Sequence, residues 1–338
     1  MKRKLSLSGL KYIDEDGVHH ISRSIDSIDD LIEMSDMYRY NKRYNIDLWK
    51  ICSIRSSLMK LKRMVGLTEV KRTIVKQIIY FLQGFHNDDM LHTVIQGPPG
   101  VGKTMLAQII GEIYHHMNIF NKEDNDEIKF VIARRSDLIG EYLGTTAKKT
   151  QGVIDACKGG VLLIDEAYAL GNKEGKDIYS KECIDTLNQN LSENKNNFLC
   201  IIAGYKSSLE RSFFSYNEGL RRRFPFVYTL SKYSVEELVL ILKDIFEREG
   251  WKLCDSNKSI QQILQAHYAK FENMAGDMET IALNTKLEHS ERVLFLHPSV
   301  KRSITAEDVR RGVDKFLRAK KECGEEEEEK PVMSHMYM

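Results

Sequence analysis

The sequence has no excess of either charge. Across 338 residues, 50 Lys and Arg stand against 49 Asp and Glu, a formal net charge of +1. An electrostatic footprint for nucleic acid needs a basic excess or a basic stripe, and this balance gives no general reason to expect one. Cysteine is scarce and scattered. The six residues (Cys52, Cys157, Cys183, Cys200, Cys254 and Cys323) form no CxxC pair. So few in a chain this long argue against a disulfide framework and for free thiols in a reducing intracellular compartment. No apolar run approaches the ~20 residues that span a bilayer, so no membrane partner is expected. The opening Met1-Lys2-Arg3-Lys4 leads into no apolar stretch of the kind a signal peptide carries. The histidine pairs His19-His20 and His115-His116 are adjacent, point apart on a helix, and make poor metal sites. There is no internal repeat.

What is present is the composition of a soluble globular protein, 42% hydrophobic and 29% charged, at a length that suggests about two domains. Residues 1–60 are polar, with apolar residues at mixed three- and four-residue spacing (Ile28, Leu31, Ile32, Leu48, Ile51, Leu58), and read as a helical extension. That extension either packs on the main domain or binds a partner. Residues 61–230 alternate short aliphatic runs with helical stretches, the pattern of a parallel sheet covered by helices. The strand candidates begin at Thr93, Phe130, Val161, Phe198 and Phe226. Residues 231–320 read as a smaller helical domain. Residues 321–338, which hold the run Glu325 to Glu329, read as an acidic disordered tail. The fold class is therefore α/β with an added helical domain.

Two motifs carry chemistry. Gly97-Pro98-Pro99-Gly100-Val101-Gly102-Lys103-Thr104 satisfies GxxxxGK[ST] and sits between a strand candidate and a helical stretch. Glycines let the backbone curl so that several N–H groups face phosphate oxygens, and the following helix presents its positive end to the same anion. Lys103 would reach the β- and γ-phosphates, and the Thr104 hydroxyl would ligate Mg²⁺. The second motif is Val161-Leu162-Leu163-Ile164-Asp165-Glu166, a buried aliphatic strand ending in two acids. Asp165 would hold Mg²⁺ through water, and Glu166 would orient or deprotonate the attacking water. ATP and Mg²⁺ are the implied ligands.

With these residues the chain resembles the AAA+ ATPases, and within them the CbxX/CfqX branch that contains the activases of red-type Rubisco. The resemblance also rests on Val65-Gly66-Leu67 with Val70-Lys71, on Gly140-Glu141-Tyr142-Leu143-Gly144-Thr145-Thr146, on Ala167-Tyr168, and on Ile202-Ala203-Gly204-Tyr205-Lys206. It implies a P-loop core with a helical lid, a ring of six copies, and a protein substrate. Val65 and Gly66 would contact the adenine side. Tyr142, Leu143 and Gly144 match the aromatic–hydrophobic–glycine loop that lines the ring pore, and packing of Tyr142 at a subunit interface is the alternative. Gly219-Leu220-Arg221-Arg222-Arg223-Phe224 matches the arginine-finger region, with Arg223 the first choice and Arg221 the second, acting on the neighbouring subunit's nucleotide. Arg134-Arg135 and Lys148-Lys149 are short basic spots that could touch nucleic acid, with rim salt bridges between subunits the simpler reading.

Two departures stand out. Gly204-Tyr205 occupies the strand tip where AAA+ proteins commonly carry a polar residue. In the lid, Gly276-Asp277-Met278-Glu279 places Glu279 where an Arg is expected, and a carboxylate facing phosphate is repelled. The leading expectation is Mg²⁺-dependent ATP hydrolysis that remodels a protein partner. The alternative is a nucleotide-controlled assembly factor with slow hydrolysis. A DNA-directed role is disfavoured by the charge balance.

Overall fold

The computed structural model describes residues 10–13, 17–86, 88–120, 128–142, 144–171, 177–217 and 219–328. The chain forms two compact units: residues 1–98 with 102–231, and residues 232–338 together with Pro99–Val101.

The first unit is built on a five-stranded parallel sheet. Its spatial order is Phe130–Ala133, Val161–Ile164, Leu199–Gly204, Thr93–Gln96, Phe226–Thr229. Parallel strands covered on both faces must be apolar throughout rather than alternating. The three strands Thr93–Gln96, Val161–Ile164 and Leu199–Gly204 are buried at every position. The helix Lys103–His116 buries Leu106, Ala107, Ile109, Ile110, Ile113 and Tyr114, a stripe at helical spacing. The strand that comes first in the sequence lies inside the sheet, so the topology reverses beside it. In such sheets the carboxyl edge at the reversal is where ligands bind. The register pairs Gln96 with Gly204 and Ile164 with Ile202. Gly97, Asp165 and Tyr205 therefore leave the sheet along one edge.

A buried histidine anchors this sheet from its other end. His92 Nε2 lies 3.0 Å from the Leu191 carbonyl, and its Nδ1 accepts from the Cys200 N–H at 3.1 Å. A carbonyl only accepts, so the Nε2 carries the proton and the ring is neutral. Burial pushes the His92 pKa down to about 4, against which the Leu191 bond acts only partly.

The N-terminal segment is not helical throughout. Helices Ile28–Met37, Leu48–Ser53 and Arg55–Arg63 match the apolar spacing, but Leu10–Ile13 and Val18–Ile21 pair antiparallel, and Arg43–Tyr44 adds to the second of these. Asn45 fastens that edge, accepting from the Ile21 N–H and donating to the Ile21 carbonyl.

The second unit is mainly helical: Val235–Arg248, Asn257–His267, Ala275–Val293 and Ala306–Glu328, with a two-residue parallel pairing of Lys252–Leu253 and Ser303–Ile304. Asp308 ties two of its helices, accepting from both Arg292 Nε and Nη2 at 2.9 and 2.8 Å, with His289 Nδ1 at 2.9 Å. The last helix runs on to Glu328, so the glutamate run begins inside a helix. Residues 329–338 of the expected tail lie outside the described residues. Among the described residues no helix is long and apolar enough to cross a membrane.

Candidate functional site

The phosphate loop is shaped by glycine. Gly100 and Gly102 adopt φ of +66° and +86°, the left-handed region that side chains avoid. Gly102 is also the cap of the Lys103–His116 helix and offers no side-chain acceptor to its first N–H groups. Those donors, the helix dipole and an adjacent ammonium make a cradle for an anion. Lys103 Nζ donates to the Gly97 and Pro98 carbonyls at 3.1 and 2.7 Å. Partial burial lowers its pKa, opposed by the charges of Asp165 and Glu166. Thr104 is half-buried beside it. This donor set fits a polyphosphate.

Asp165 follows the Val161–Ile164 strand, and its backbone N–H still bonds the Ala133 carbonyl at 3.1 Å. Its carboxylate accepts from the Glu166 N–H at 3.1 Å. Glu166 takes φ +52°, a left-handed conformation rare for a residue with a side chain, and opens the short 3₁₀ turn Ala167–Leu170. Such strain gathers at functional positions. The acid pair and Thr104 offer hard oxygen ligands of the kind Mg²⁺ takes.

Two tyrosines join the lysine and the acids. The Tyr205 ring centroid lies 5.4 Å from Lys103 Nζ and 5.6 Å from the Tyr168 ring. Burial first, then the charge of nearby Glu166, push the Tyr168 pKa up to about 12. In the sequence, Tyr168 and Tyr205 are marks of the resemblance, Tyr205 also stands at a departure, and neither carries a catalytic expectation. For Tyr168, its place two residues after Glu166 was the one available signal.

The other predicted residues lie elsewhere. Arg223 donates to Ser192 Oγ at 2.6 Å and to the Gly219 carbonyl at 2.7 Å, within its own chain. Arg221 pairs with Glu210 at 3.0 Å and covers the Phe214 ring at 4.7 Å. Arg222, not singled out by the sequence, is the exposed one of the three. Gly66 is at φ +68° and Leu67 at +59°, a sharp turn that starts the Thr68–Leu82 helix just after Val65. Tyr142 is 71% exposed. Its loop is braced from beneath: Thr145 Oγ1 donates to the Tyr142 carbonyl at 2.7 Å, and the Thr145 N–H bonds the same oxygen at 3.1 Å. Gly144 is at φ +82°, and Leu143 lies outside the described residues. Arg135 and Lys149, read as inter-subunit salt bridges, bond inside the chain. Arg135 reaches Asp177 and Ser180, and Lys149 reaches the Ser136 and Ile139 carbonyls. Glu279 is exposed on the Ala275–Val293 helix, whereas its neighbour Asp277 is buried and accepts from the Asn273 N–H at 2.8 Å.

A glycine-shaped phosphate loop on the inner strand and a strand-end acid pair, set on one edge of a five-stranded parallel sheet with a helical unit following, define a P-loop nucleotide-binding protein of the AAA class. Residues 93–231 match the family described as "ATPase family associated with various cellular activities (AAA)". The cfxQ-like protein R730 of Acanthamoeba polyphaga mimivirus is 39% identical over 303 residues, spanning 88% of this chain and 73% of that one. The CfxQ homolog of Galdieria sulphuraria is 30% identical, spanning 77% of this chain and 89% of that one. The chain belongs to the AAA ATPase family, in its CbxX/CfxQ branch. In fold it resembles the FIGL-1 AAA domain solved with ADP, with a TM-score of 0.53 at 16% identity over 78% of this chain and 89% of that one.

Proposed function

We propose that this chain hydrolyses ATP with Mg²⁺ as a ring of copies of itself, six in number, and uses the cycle to remodel a protein partner. The observation that supports this best is that the glycine-shaped loop leading into the Lys103–His116 helix and the Asp165–Glu166 pair leave the same edge of the parallel sheet. Lys103 and the loop N–H groups hold the phosphates, with Val65 and Gly66 toward the adenine. Thr104 and Asp165 hold Mg²⁺, which neutralises charge on the phosphate oxygens. Glu166 takes the proton of the water that attacks the γ-phosphorus as the bond to ADP breaks.

Arg223, with Arg221 second, supplies the cation that stabilises the neighbouring copy's transferring phosphoryl group. To do so Arg223 leaves Ser192 and Gly219, so assembly is coupled to that release. Tyr142, exposed on a loop braced by Thr145, grips the partner in this reading. The test is complementation. Arg223→Ala and Lys103→Ala are each expected to be inactive alone, and mixing them should restore hydrolysis, since an intact nucleotide site then meets an intact arginine. Mixtures that stay inactive, although both variants assemble, would count against the shared site.

The second reading, a nucleotide-controlled assembly factor with slow hydrolysis, draws on Glu279. It loses that support if Glu279→Ala leaves an already normal turnover unchanged.

A further inference from the structure

Resting on the reading above, in which Glu166 drives hydrolysis and Tyr142 grips the partner, we propose that Arg135 couples the two. Its side chain holds the turn that follows Glu166, and its backbone opens the short helix Arg135–Leu138 from which the Tyr142 loop departs.

The sheet puts Arg135 beside the acid pair. The strands Phe130–Ala133 and Val161–Ile164 run parallel, with Ala133 opposite Ile164. They leave the sheet side by side, one into Asp165–Glu166 and the other into the Arg135–Leu138 helix. The guanidinium crosses between them. Its Nη1 donates to the Ala169 carbonyl at 2.8 Å and to Ser180 Oγ at 2.7 Å, and its Nη2 donates to Asp177 at 2.6 Å. Ala169 lies in the 3₁₀ turn that Glu166 opens, and its own N–H bonds the Glu166 carbonyl at 2.8 Å. Asp177 is the cap of the Ile178–Glu193 helix, accepting from the Tyr179 and Ser180 N–H groups. One planar fork of donors therefore grips the turn and the helix start at once, a geometry that a lysine ammonium lacks.

From Arg135 to Tyr142 the chain is stiff. The Arg134 N–H donates to Asp137 at 2.8 Å, Leu138 is fully buried, and the Leu138 carbonyl accepts from Thr150 Oγ1 at 2.9 Å. Lys149 donates to the Ser136 and Ile139 carbonyls, and the Gly140 N–H donates to Oγ1 of buried Thr146 at 3.1 Å. The turn at the other end is the yielding part. Glu166 is exposed and holds a left-handed φ of +52°, a conformation that costs a residue with a side chain and that the arrival of nucleotide and water can release. A change in the turn moves the Ala169 carbonyl, and the Arg135 fork carries that displacement into the base of the Tyr142 loop through hydrogen bonds and a packed segment.

The experiment is hydrogen–deuterium exchange of the full chain at concentrations where it assembles, read on peptides covering residues 136–146. Exchange is compared without nucleotide and with saturating Mg²⁺ and a non-hydrolysable ATP analogue. The wild-type rates are expected to differ about fivefold or more between the two states, the lower end of ordinary coupling between sites. Arg135→Met is expected to bind the analogue and to bring that ratio close to one. A bracing role alone would speed exchange in both states and leave the ratio as it was, so an Arg135→Met chain with the wild-type ratio overturns the proposal. Should Arg135→Met fail to fold, Asp177→Asn decides. Asparagine caps a helix as well as aspartate does, so Oδ1 keeps its backbone partners while the acceptor for Arg135 becomes a donor. It is expected to lower the ratio about twofold or more, the scale of single changes along a coupling path, and an unchanged ratio overturns the proposal. A wild-type loop that ignores the analogue overturns the reading in which the nucleotide cycle drives Tyr142, and this one with it. A responsive wild type beside an equally responsive variant overturns this one alone.

Discussion

Two loops are both shaped by glycine and threonine, and they are built in opposite ways. In Gly97–Thr104 the backbone is the instrument: left-handed glycines turn N–H groups outward, and the Lys103 side chain folds back onto the loop's own carbonyls. In Gly140–Thr146 the backbone is only the mount. Thr145 clamps the turn from both its hydroxyl and its N–H, and the result is a tyrosine ring held out in water. Gly140 is needed there because a Cβ would meet Thr145 Oγ1 at 2.1 Å. A loop that binds a small anion must present many weak donors in fixed places. A loop that, as proposed for Gly140–Thr146, grips a polypeptide would need one large side chain and a stiff base.

Substitutions sharpen that contrast. Lys103→Ala should have the largest effect, a loss of about 10²–10³ in hydrolysis, the scale for removing one preorganised donor. Retention of wild-type turnover would break the assignment of the first loop. His92 sits at the foot of the strand that delivers this loop, and its titration gives a pH signature. Its folded pKa is about 4 against a usual value near 6.5. The unfolded chain therefore binds the extra proton between those values, and stability rises with pH across that window by on the order of 3 kcal/mol. Chemical denaturation at pH 4 to 7 should show this slope, and His92→Gln should flatten it.

Gly140→Ala should cost about 1–3 kcal/mol through overpacking of the Thr145 turn. A thermal midpoint equal to wild type would mean that the turn yields freely. Tyr142→Ala should have the smallest effect on the enzyme itself. Hydrolysis should stay within twofold while partner processing is lost, and an equal fall in both would move Tyr142 to the nucleotide cycle.

The phosphate loop and the aliphatic strand ending in Asp165 and Glu166 could be read directly because each is contiguous and each residue type has one chemical reason to be there. The sheet followed from the fully apolar runs. What could not be read is what the parallel topology brings together from separate segments. Lys103, Tyr168 and Tyr205 meet because three strands end on one edge, and nothing local in the chain announces it. The Ser192 partner of Arg223 stayed hidden for the same reason, since it lies on the Ile178–Glu193 helix. The N-terminal hairpin escaped because Val18–Ile21 is four residues long, too short for its alternation to be told from the helical spacing that follows. On charge alone the glutamate run reads as a solvated tail, yet the last helix continues to Glu328. Glutamate is a good helix former, and extending a helix that already exists carries no new nucleation cost.

The proposed mechanism completes each nucleotide site with a neighbouring copy and drives it by Glu166. It is tested most directly by Mg²⁺-dependent ATP hydrolysis measured against protein concentration, for wild type beside Glu166→Gln. Specific activity should climb steeply with concentration, and the variant should bind ATP but stay inactive throughout. A wild type that binds ATP yet hydrolyses it no faster than the variant at any concentration would contradict it and leave a nucleotide-dependent switch.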